Sequence, residues 1–293
     1  MNRPSAVVIA TVAVALSLNA CSSSKKTAST SSGPAATSAA VTSAAASTPA
    51  ATTSAPASSA PAASSSAALS GNVVVFAASS LQATFTTLIT NFEAANPGVK
   101  VTPSYGGSDT LAAQITQGAP VDVFAAASTT TMGTVTTAGD GVGTPQVFAK
   151  NELEIAVAPN NPDHIASLAD VTKSGVKLAI CAATVPCGAA AAKAFAAAKL
   201  TPHPVTLEQQ VSSVLTKLEL GEVDAGIVYQ TDVKSAGSKV SGVNFPEAAS
   251  AINTYPIVVV KGAKNPTAAA AFVAYVVSPA GQQILQAAGF QQP

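Results

Sequence analysis

Three segments combine small residues with the start of a helical pattern, and such segments can bind an anion. They are FAASSL (residues 76–81), SYGGSD (104–109) and ICAATVPCG (180–188), and each follows or includes an apolar run typical of a strand. A helix start exposes backbone N–H groups without partners and about half a positive charge. One serine at such a position is usually only a helix cap. Several helix starts that meet at one place would bind an oxyanion.

The composition indicates which groups would hold that anion. Arg3 is the only arginine, and it lies in a segment that we expect to be removed from the mature chain. An oxyanion would therefore be held by several neutral donors, because each buried oxygen left without a hydrogen bond is costly. Ser79 or Ser80, Ser108 and the hydroxyl of Tyr229, at the end of the run AGIVY, are candidate donors. The loop before Val211 is a further helix start.

The elements that would position these residues alternate between strands and helices. From residue 72, the runs 72–78, 99–105 and 121–127 read as strands separated by helical patterns, and a second unit begins at about residue 152. This order predicts an α/β fold with parallel sheets and helices on both faces. Ligands in such folds bind beyond the carboxyl ends of the strands, where the candidate donors lie.

The N-terminal part has no pattern typical of a packed core. Residues 1–21 have a short positive segment followed by an apolar run that ends in LNAC, which is typical of a bacterial lipoprotein signal peptide with Cys21 as the lipidated residue. An ordinary cleaved signal with an incidental cysteine is the alternative. Residues 22–70 consist almost wholly of Ser, Ala, Thr and Pro, which predicts a disordered linker. We therefore expect an extracytoplasmic protein anchored to the cell membrane through Cys21.

Two further cysteines, Cys181 and Cys187, lie in the part expected to fold. Thiols outside the cytoplasm tend to be oxidised, so we predict a disulfide between them, with two free thiols as the alternative. Their spacing is not CxxC and no histidine lies nearby, which makes a zinc site improbable.

The folded part resembles the molybdate-binding proteins of ABC importers from about residue 73 to residue 290. The segments that carry this resemblance are VFAASSL (75–81), SYGGSDTLAAQITQGAPVDVFAAAS (104–128), TVPCG (184–188), LELGEVDAGIVYQTD (218–232), YPIVVV (255–260) and SPAGQQILQAAGF (278–290). The resemblance implies a type II periplasmic-binding-protein fold, with two α/β lobes around a ligand cleft. The first lobe would comprise residues 71–150 and 255–293, and the second lobe residues 151–254.

The resemblance also implies a set of ligand residues for the molybdate oxyanion. Ser80 and Ser108 match the two ligand serines of the family. Cys187 and Val211 would each donate a backbone N–H, and Tyr229 would donate its phenol hydroxyl.

Three positions depart from the family pattern. Asp109 follows a ligand serine where a small residue is usual, and we expect its carboxylate to point outward. The pair Cys181 and Cys187, if bridged, would fix the loop that presents the Cys187 N–H. Ser79 stands where alanine is frequent, so the choice between Ser79 and Ser80 as ligand stays open.

These features predict a solute-binding lipoprotein that captures molybdate or tungstate and delivers it to an ABC permease in the membrane. A binding protein for another tetrahedral oxyanion, such as sulfate, is the alternative, and a structural or adhesive wall protein is a weaker one. The nucleophile motif G-x-S-x-G is absent, because Thr110 stands where its second glycine would be needed, and we do not expect an enzyme. We expect a monomer without a cofactor and without a metal site beyond the molybdate ligands, and no affinity for nucleic acid, because no basic patch is present.

Overall fold

The computed structural model describes residues 68–293. The signal peptide, Cys21 and all but the last three residues of the predicted linker lie outside the described residues. Ten strands and eight α-helices are present in the described part. The strands are β1 Gly71–Ala78, β2 Val99–Gly106, β3 Val123–Ala125, β4 Gly141–Asn151, β5 Leu153–Val157, β6 Leu178–Cys181, β7 Thr206–Glu208, β8 Ala225–Tyr229, β9 Ser241–Val243 and β10 Asn253–Val260. The helices are α1 Gln82–Ala95, α2 Ser108–Thr116, α3 Thr129–Thr137, α4 Pro186–Ala197, α5 Val211–Glu219, α6 Gln230–Ala236, α7 Pro266–Val277 and α8 Pro279–Ala288.

The strands form two five-stranded sheets, which define two lobes. The first sheet has the order β2-β1-β3-β10-β4, and the second has the order β7-β6-β8-β5-β9. Strands β1, β2 and β3 are parallel, and β10 is antiparallel to β3 and to β4. In the second sheet, β6 is parallel to β7 and β8, whereas β5 is antiparallel to β8 and β9. The predicted α/β class is therefore confirmed, with mixed rather than purely parallel sheets.

Alternating residues of the first sheet pack into separate cores on its two faces. Val123 and Ala125 pack with α1, α7 and α8, whereas Phe124 packs with α2 and α3 on the opposite face. This division follows from the two-residue period of a strand. The second lobe has one large core, which includes buried residues of β5, β6 and β8. Helices thus cover the sheets and leave the carboxyl ends of the parallel strands free for the site.

Two neighbouring strands connect the lobes. Strand β4 ends the first sheet at Asn151, and β5 begins the second sheet two residues later. The chain returns through β10, in which Asn253 lies directly opposite Asn151. Asn151, Asn253 and Thr254 thus belong to strands of the first sheet, although the sequence-based boundaries put them in the second lobe.

The folded part also begins before the predicted end of the linker. Leu69 packs against the core of the first lobe, and the Ser70 carbonyl accepts a hydrogen bond of 2.7 Å from the Asn265 side chain. Within residues 68–293, no single helix has the length and apolarity that crossing a membrane requires. The consecutive helices α7 and α8 meet these criteria only together, as a pair bent by 58°.

Candidate functional site

The ends of strands from both lobes surround a small cavity, with about 10 Å³ of volume open to the centre of a water-sized molecule. It is lined by Ala78, Ser79, Ser80, Gly106, Gly107, Ser108, Ala127, Val185, Pro186, Cys187, Gln210, Val211 and Tyr229. All five predicted ligand residues, Ser80, Ser108, Cys187, Val211 and Tyr229, thus lie around one cavity. None of the lining residues carries a charge. An occupant would therefore meet hydroxyl and backbone donors from both sides.

Ser108 is the first residue of α2 and lies on the first-lobe side of the cavity. Its side chain is buried, and its Oγ accepts a hydrogen bond of 3.0 Å from the Ala127 N–H. An oxygen that accepts from an N–H keeps its own hydrogen for another acceptor. The Ser108 hydroxyl therefore has a proton available for an anion in the cavity.

Ser80 lies in the 3-10 turn Ser79–Leu81, between β1 and α1. Its Oγ is 3.0 Å from the Tyr255 hydroxyl, 175 residues away in the sequence. Ser79 is also buried and also lines the cavity, but no comparable side-chain hydrogen bond positions it in the described part of the chain. The contact with Tyr255 makes Ser80 the better positioned of the two candidate serines.

The second lobe contributes two helix starts to the cavity. Cys187 lies in the first turn of α4 and Val211 is the first residue of α5. Backbone N–H groups in the first turn of a helix have no partner within that helix. Gly188 is required beside Cys187, because a Cβ atom there would collide with the carbonyl oxygen of Ala182. This close contact packs the start of α4 against the end of β6.

The structure joins Cys181 and Cys187 by a disulfide with an S–S distance of 2.01 Å and a Cα–Cα distance of 5.7 Å. The bond links the end of β6 to the first turn of α4. It closes the short loop that brings the Cys187 backbone to the cavity, so the second lobe presents this N–H from a covalently closed segment.

Tyr229 ends β8 and is almost completely buried. The residue lines the cavity, and its hydroxyl makes no hydrogen bond of ordinary geometry within residues 68–293, although the side chains of Tyr255 and Asn253 lie close to it. A buried hydroxyl without a well-formed hydrogen bond is rare in native structures, so this group is available to donate to an occupant of the cavity. Burial raises the pKa of Tyr229 well above the usual value, and the proximity of Tyr255 raises it further. The phenol therefore stays protonated and can donate.

A buried carboxyl group lies next to Tyr229 in the second lobe. Asp232, in the first turn of α6, accepts a hydrogen bond of 3.0 Å from the Tyr229 backbone N–H through its Oδ2 atom. Burial raises the pKa of Asp232 to about 7, and the bond from the Tyr229 N–H opposes this shift. The sequence did not single out Asp232, which has the ordinary appearance of an acidic residue near a helix start.

Asp109 does not point outward, and that expectation was wrong. The residue is half-buried, and its Oδ1 atom is enclosed without a hydrogen-bond partner among the described residues. It lies beside Gly107 but is not one of the cavity-lining residues. The first turn of α2 accommodates the carboxylate because an acidic group is favourable near a helix N-terminus.

A larger groove of about 720 Å³ adjoins the cavity and shares Ser79 and Ser80 with it. Its other walls come from α1, α5, α6 and α8, and it does not include Ser108, Cys187, Val211 or Tyr229. The walls of this wider groove include the charged residues Asp232 and Lys234, so a small anion there would not be enclosed by neutral donors. The small cavity is therefore the better candidate site.

The part of the chain that the structure describes gives little support for a metal site or for a site that uses histidine. No group of three or more His, Cys, Asp or Glu side chains is arranged to hold a metal ion there. His164 and His203 are exposed in loops, and neither lines the cavity.

Sequence reasoning missed three residues that support the site. Tyr255 contacts Ser80, Ala127 contacts Ser108, and Asn151 donates to Tyr255 over 3.5 Å. Tyr255 carried the only available signal, as a lone hydroxyl at the start of the otherwise apolar run YPIVVV.

Comparison with known proteins agrees with this architecture. Residues 73–291 match the family of bacterial extracellular solute-binding proteins. The chain belongs to this family. It is 45% identical over 222 residues to the molybdate-binding protein ModA of Mycobacterium tuberculosis H37Rv, a match that covers 76% of this chain and 85% of that protein. The predicted resemblance and the periplasmic-binding-protein fold are both confirmed.

Solved structures support the same fold. The substrate-binding domain of a putative molybdenum ABC transporter from Clostridium difficile is 28% identical, with a TM-score of 0.57, over 76% of this chain and 99% of that one. The sulfate-binding protein SubI of M. tuberculosis H37Rv is 18% identical, with a TM-score of 0.67, over 75% of this chain and 86% of that one. At such low identity, the second match shows the fold alone.

Proposed function

We propose that this protein captures molybdate or tungstate outside the cytoplasm and delivers it to an ABC permease. The observation that carries this proposal is the cavity between the lobes, where hydroxyls and helix starts converge without any charged side chain. Tetrahedral dianions have four oxygens that accept hydrogen bonds, so they match a set of neutral donors. The similarity to proteins named for molybdate supports this choice among such anions.

The proposed ligand set is Ser80 and Ser108 through their hydroxyls, Cys187 and Val211 through their backbone N–H groups, and Tyr229 through its phenol. The first two belong to one lobe and the other three to the second lobe. The anion would therefore hold the lobes together, as binding energy from each side favours the closed arrangement.

The N-terminal segment would attach the protein to the membrane beside its permease. We propose that Cys21 is lipidated after signal-peptide removal, so that a monomeric receptor is anchored at the outer surface of the membrane. Residues 22–67 would then act as a tether that lets the folded part reach the permease. The sequence LNAC and the composition of the tether support these assignments.

Sulfate is the second candidate ligand, because it has the same charge and tetrahedral shape. The fold similarity to a sulfate-binding protein allows this alternative without favouring it. Sulfate is smaller than molybdate, so the size of the cavity in the closed state decides between them.

Thermal unfolding in the presence of molybdate, tungstate, sulfate and phosphate tests the proposal. A ligand at about 100 times its dissociation constant adds about 2.7 kcal/mol to the free energy of unfolding. We expect molybdate and tungstate to raise the unfolding temperature. A shift with sulfate alone would transfer the assignment to the second candidate, and no shift with any of the four anions would refute an oxyanion receptor.

A further inference from the structure

The two lobes touch beside the cavity, where the start of α2 meets the loop that precedes α5. A Cβ atom on Gly107 would collide with the backbone carbonyl oxygen of Gln209, and one on Gly106 would lie 3.9 Å from the side-chain oxygen of Gln210. The first lobe therefore has a backbone oxygen of the second lobe directly against it. Closing of the lobes over an anion creates this contact, because the residues on its two sides belong to different lobes.

The Asp109 carboxylate lies at the same contact. Its Oδ1 atom is 2.7 Å from the position that a Gly107 Cβ atom would occupy, so it borders the same space as the Gln209 carbonyl oxygen. That Oδ1 atom is enclosed, and none of the residues that the structure describes donates a hydrogen bond to it. A carboxylate and a carbonyl can both only accept. Two acceptors therefore meet between the lobes, and neither can donate to the other.

The closed arrangement is costly for such a carboxylate. An enclosed charged group without a donor has a higher free energy than the same group in water, because its hydration is not replaced. The start of α2 offsets part of this cost, since a helix N-terminus favours a negative charge in its first turn. When the lobes separate, the Gln209 carbonyl moves away and water can reach the Oδ1 atom. Asp109 therefore favours the open arrangement over the closed one.

From this contact we propose that Asp109 is an affinity-limiting residue, whose carboxylate opposes closure of the lobes and so speeds release of the bound anion. This inference rests on the proposed function of the cavity as an oxyanion site. A free-energy cost placed on the closed arrangement is subtracted from the binding free energy of any ligand that requires closure. A receptor that delivers its ligand to a permease has to release it, and Asp109 would set how readily it does so.

Substitution of Asp109 tests this inference through the kinetics of molybdate binding. Asp109→Asn keeps the shape of the side chain but supplies an amide N–H, which can donate to the Gln209 carbonyl across the lobes. We expect its affinity for molybdate to rise by about tenfold, through a slower dissociation rate. Asp109→Ala removes the carboxylate without supplying a donor, so its affinity should rise by a smaller factor. Calorimetric titration gives the affinities, and rapid filtration with radiolabelled molybdate gives the rates.

A matched control separates this contact from the net charge of the protein. Asp163→Asn also removes one negative charge, from an exposed loop residue that follows β5. Strand β5 begins opposite Tyr229, at the cavity, and ends opposite Ala225, so Asp163 follows the end that points away from the site. We expect this variant to bind molybdate with the affinity and the dissociation rate of the wild type.

The inference fails if Asp109→Asn binds molybdate no more tightly than the wild type, or if Asp163→Asn gains as much. It also fails if the gain lies in the association rate and disappears at high salt, which would indicate long-range repulsion of the anion. Circular dichroism confirms that each variant is folded, and Asp109→Ser replaces any variant that is not. A wild-type protein that binds none of molybdate, tungstate, sulfate and phosphate would refute the proposed function, and this inference with it.

Discussion

Gly107 of the first lobe faces the backbone of Gln209 in the second lobe so closely that a side chain has no room. A Cβ atom at Gly107 would collide with the Gln209 carbonyl oxygen, whereas one at the neighbouring Gly106 would make only ordinary contacts, the nearest at 3.5 Å to Leu111. Glycines before a helix start can let the backbone approach a bound anion closely. The structure shows that Gly107 lets the lobes approach each other.

Gly107→Ala should therefore hinder closure and weaken molybdate binding by at least about tenfold, because a backbone collision cannot be relieved by rotating a side chain. Gly106→Ala is the matched control and should bind nearly as the wild type does. Calorimetric titration of both variants measures the difference. Equal affinities would show that closure does not require the contact between Gly107 and Gln209.

Tyr229→Phe removes a hydroxyl that makes no well-formed hydrogen bond among the described residues. The unliganded protein should keep its stability, because no internal hydrogen bond is lost. Molybdate affinity should fall by about tenfold or more, since one oxygen of the anion loses a donor. Titration and thermal unfolding together separate these effects, and a stability loss without an affinity loss would place the Tyr229 hydroxyl outside the site.

Ser108→Ala should weaken molybdate binding by about tenfold or more. The variant also leaves the buried Ala127 N–H without its partner, which should lower stability by about 1–3 kcal/mol. Ser104→Ala, at an exposed position in β2, is the control and should change neither property. Unchanged binding by Ser108→Ala would show that the site is misplaced.

Cleavage of the disulfide should affect both stability and binding. Closing so short a loop stabilises the folded state by roughly 2 kcal/mol in the chain-entropy model, and it keeps the Cys187 N–H in position. Cys181→Ser should therefore lower the free energy of unfolding and weaken molybdate binding. A reducing agent should reproduce both effects in the wild type and have no effect on the variant. Identical denaturation curves for the two proteins would contradict this role.

Titration of the Asp232 carboxyl group should make the free energy of unfolding depend on pH. Its pKa is raised by burial to about 7, so the folded state keeps a proton that the unfolded state has already lost between roughly pH 4 and pH 7. The contribution of Asp232 to stability thus falls as the pH rises through this window, by at most about 1.4 kcal/mol per pH unit. Asp232→Asn removes this contribution but keeps an oxygen that can accept from the Tyr229 N–H.

Denaturant unfolding of both proteins from pH 4 to pH 8 provides the measurement. Other carboxyl groups titrate in both proteins, so the difference between the two curves isolates Asp232. The wild type should lose stability relative to Asp232→Asn as the pH rises, with the change complete above about pH 7. Parallel curves would show that Asp232 is ionised throughout.

Elements with strong local signals could be predicted from the sequence. Helices α7 and α8 each begin with a proline at the first helical position, which is a start signal that the sequence itself carries. Strand β8 coincides with the continuous apolar run AGIVY.

Elements whose stability depends on distant neighbours were missed. Strand β4 is an edge strand with largely exposed residues and a proline, so it has no strand-like alternation of polar and apolar residues. Its pairing with β10, more than 100 residues later, defines it instead. Helix α6 follows β8 without a turn residue, and its main local signal is the acidic Asp232 in its first turn.

The residues of the candidate site, like the elements of the fold, could be predicted only where a local sequence signal is present. Ligand residues at strand ends could be proposed because a helix start has a recognisable composition, as at Ser108 and Pro186. The residues that orient the hydroxyls could not, because their contacts join distant positions. Tyr255 is 175 residues from Ser80, and Asn151 is 104 residues from Tyr255. Only the assembled lobes bring them together.

Crystals grown with tungstate would test the central claim most directly, because the anomalous scattering of tungsten locates the anion without reference to its expected position. We predict one strong peak between the lobes, with oxygens at hydrogen-bond distance, about 2.7–3.2 Å, from the hydroxyls of Ser80, Ser108 and Tyr229 and the N–H groups of Cys187 and Val211. A peak elsewhere, or no peak at a concentration that saturates binding in solution, would contradict this account of the protein.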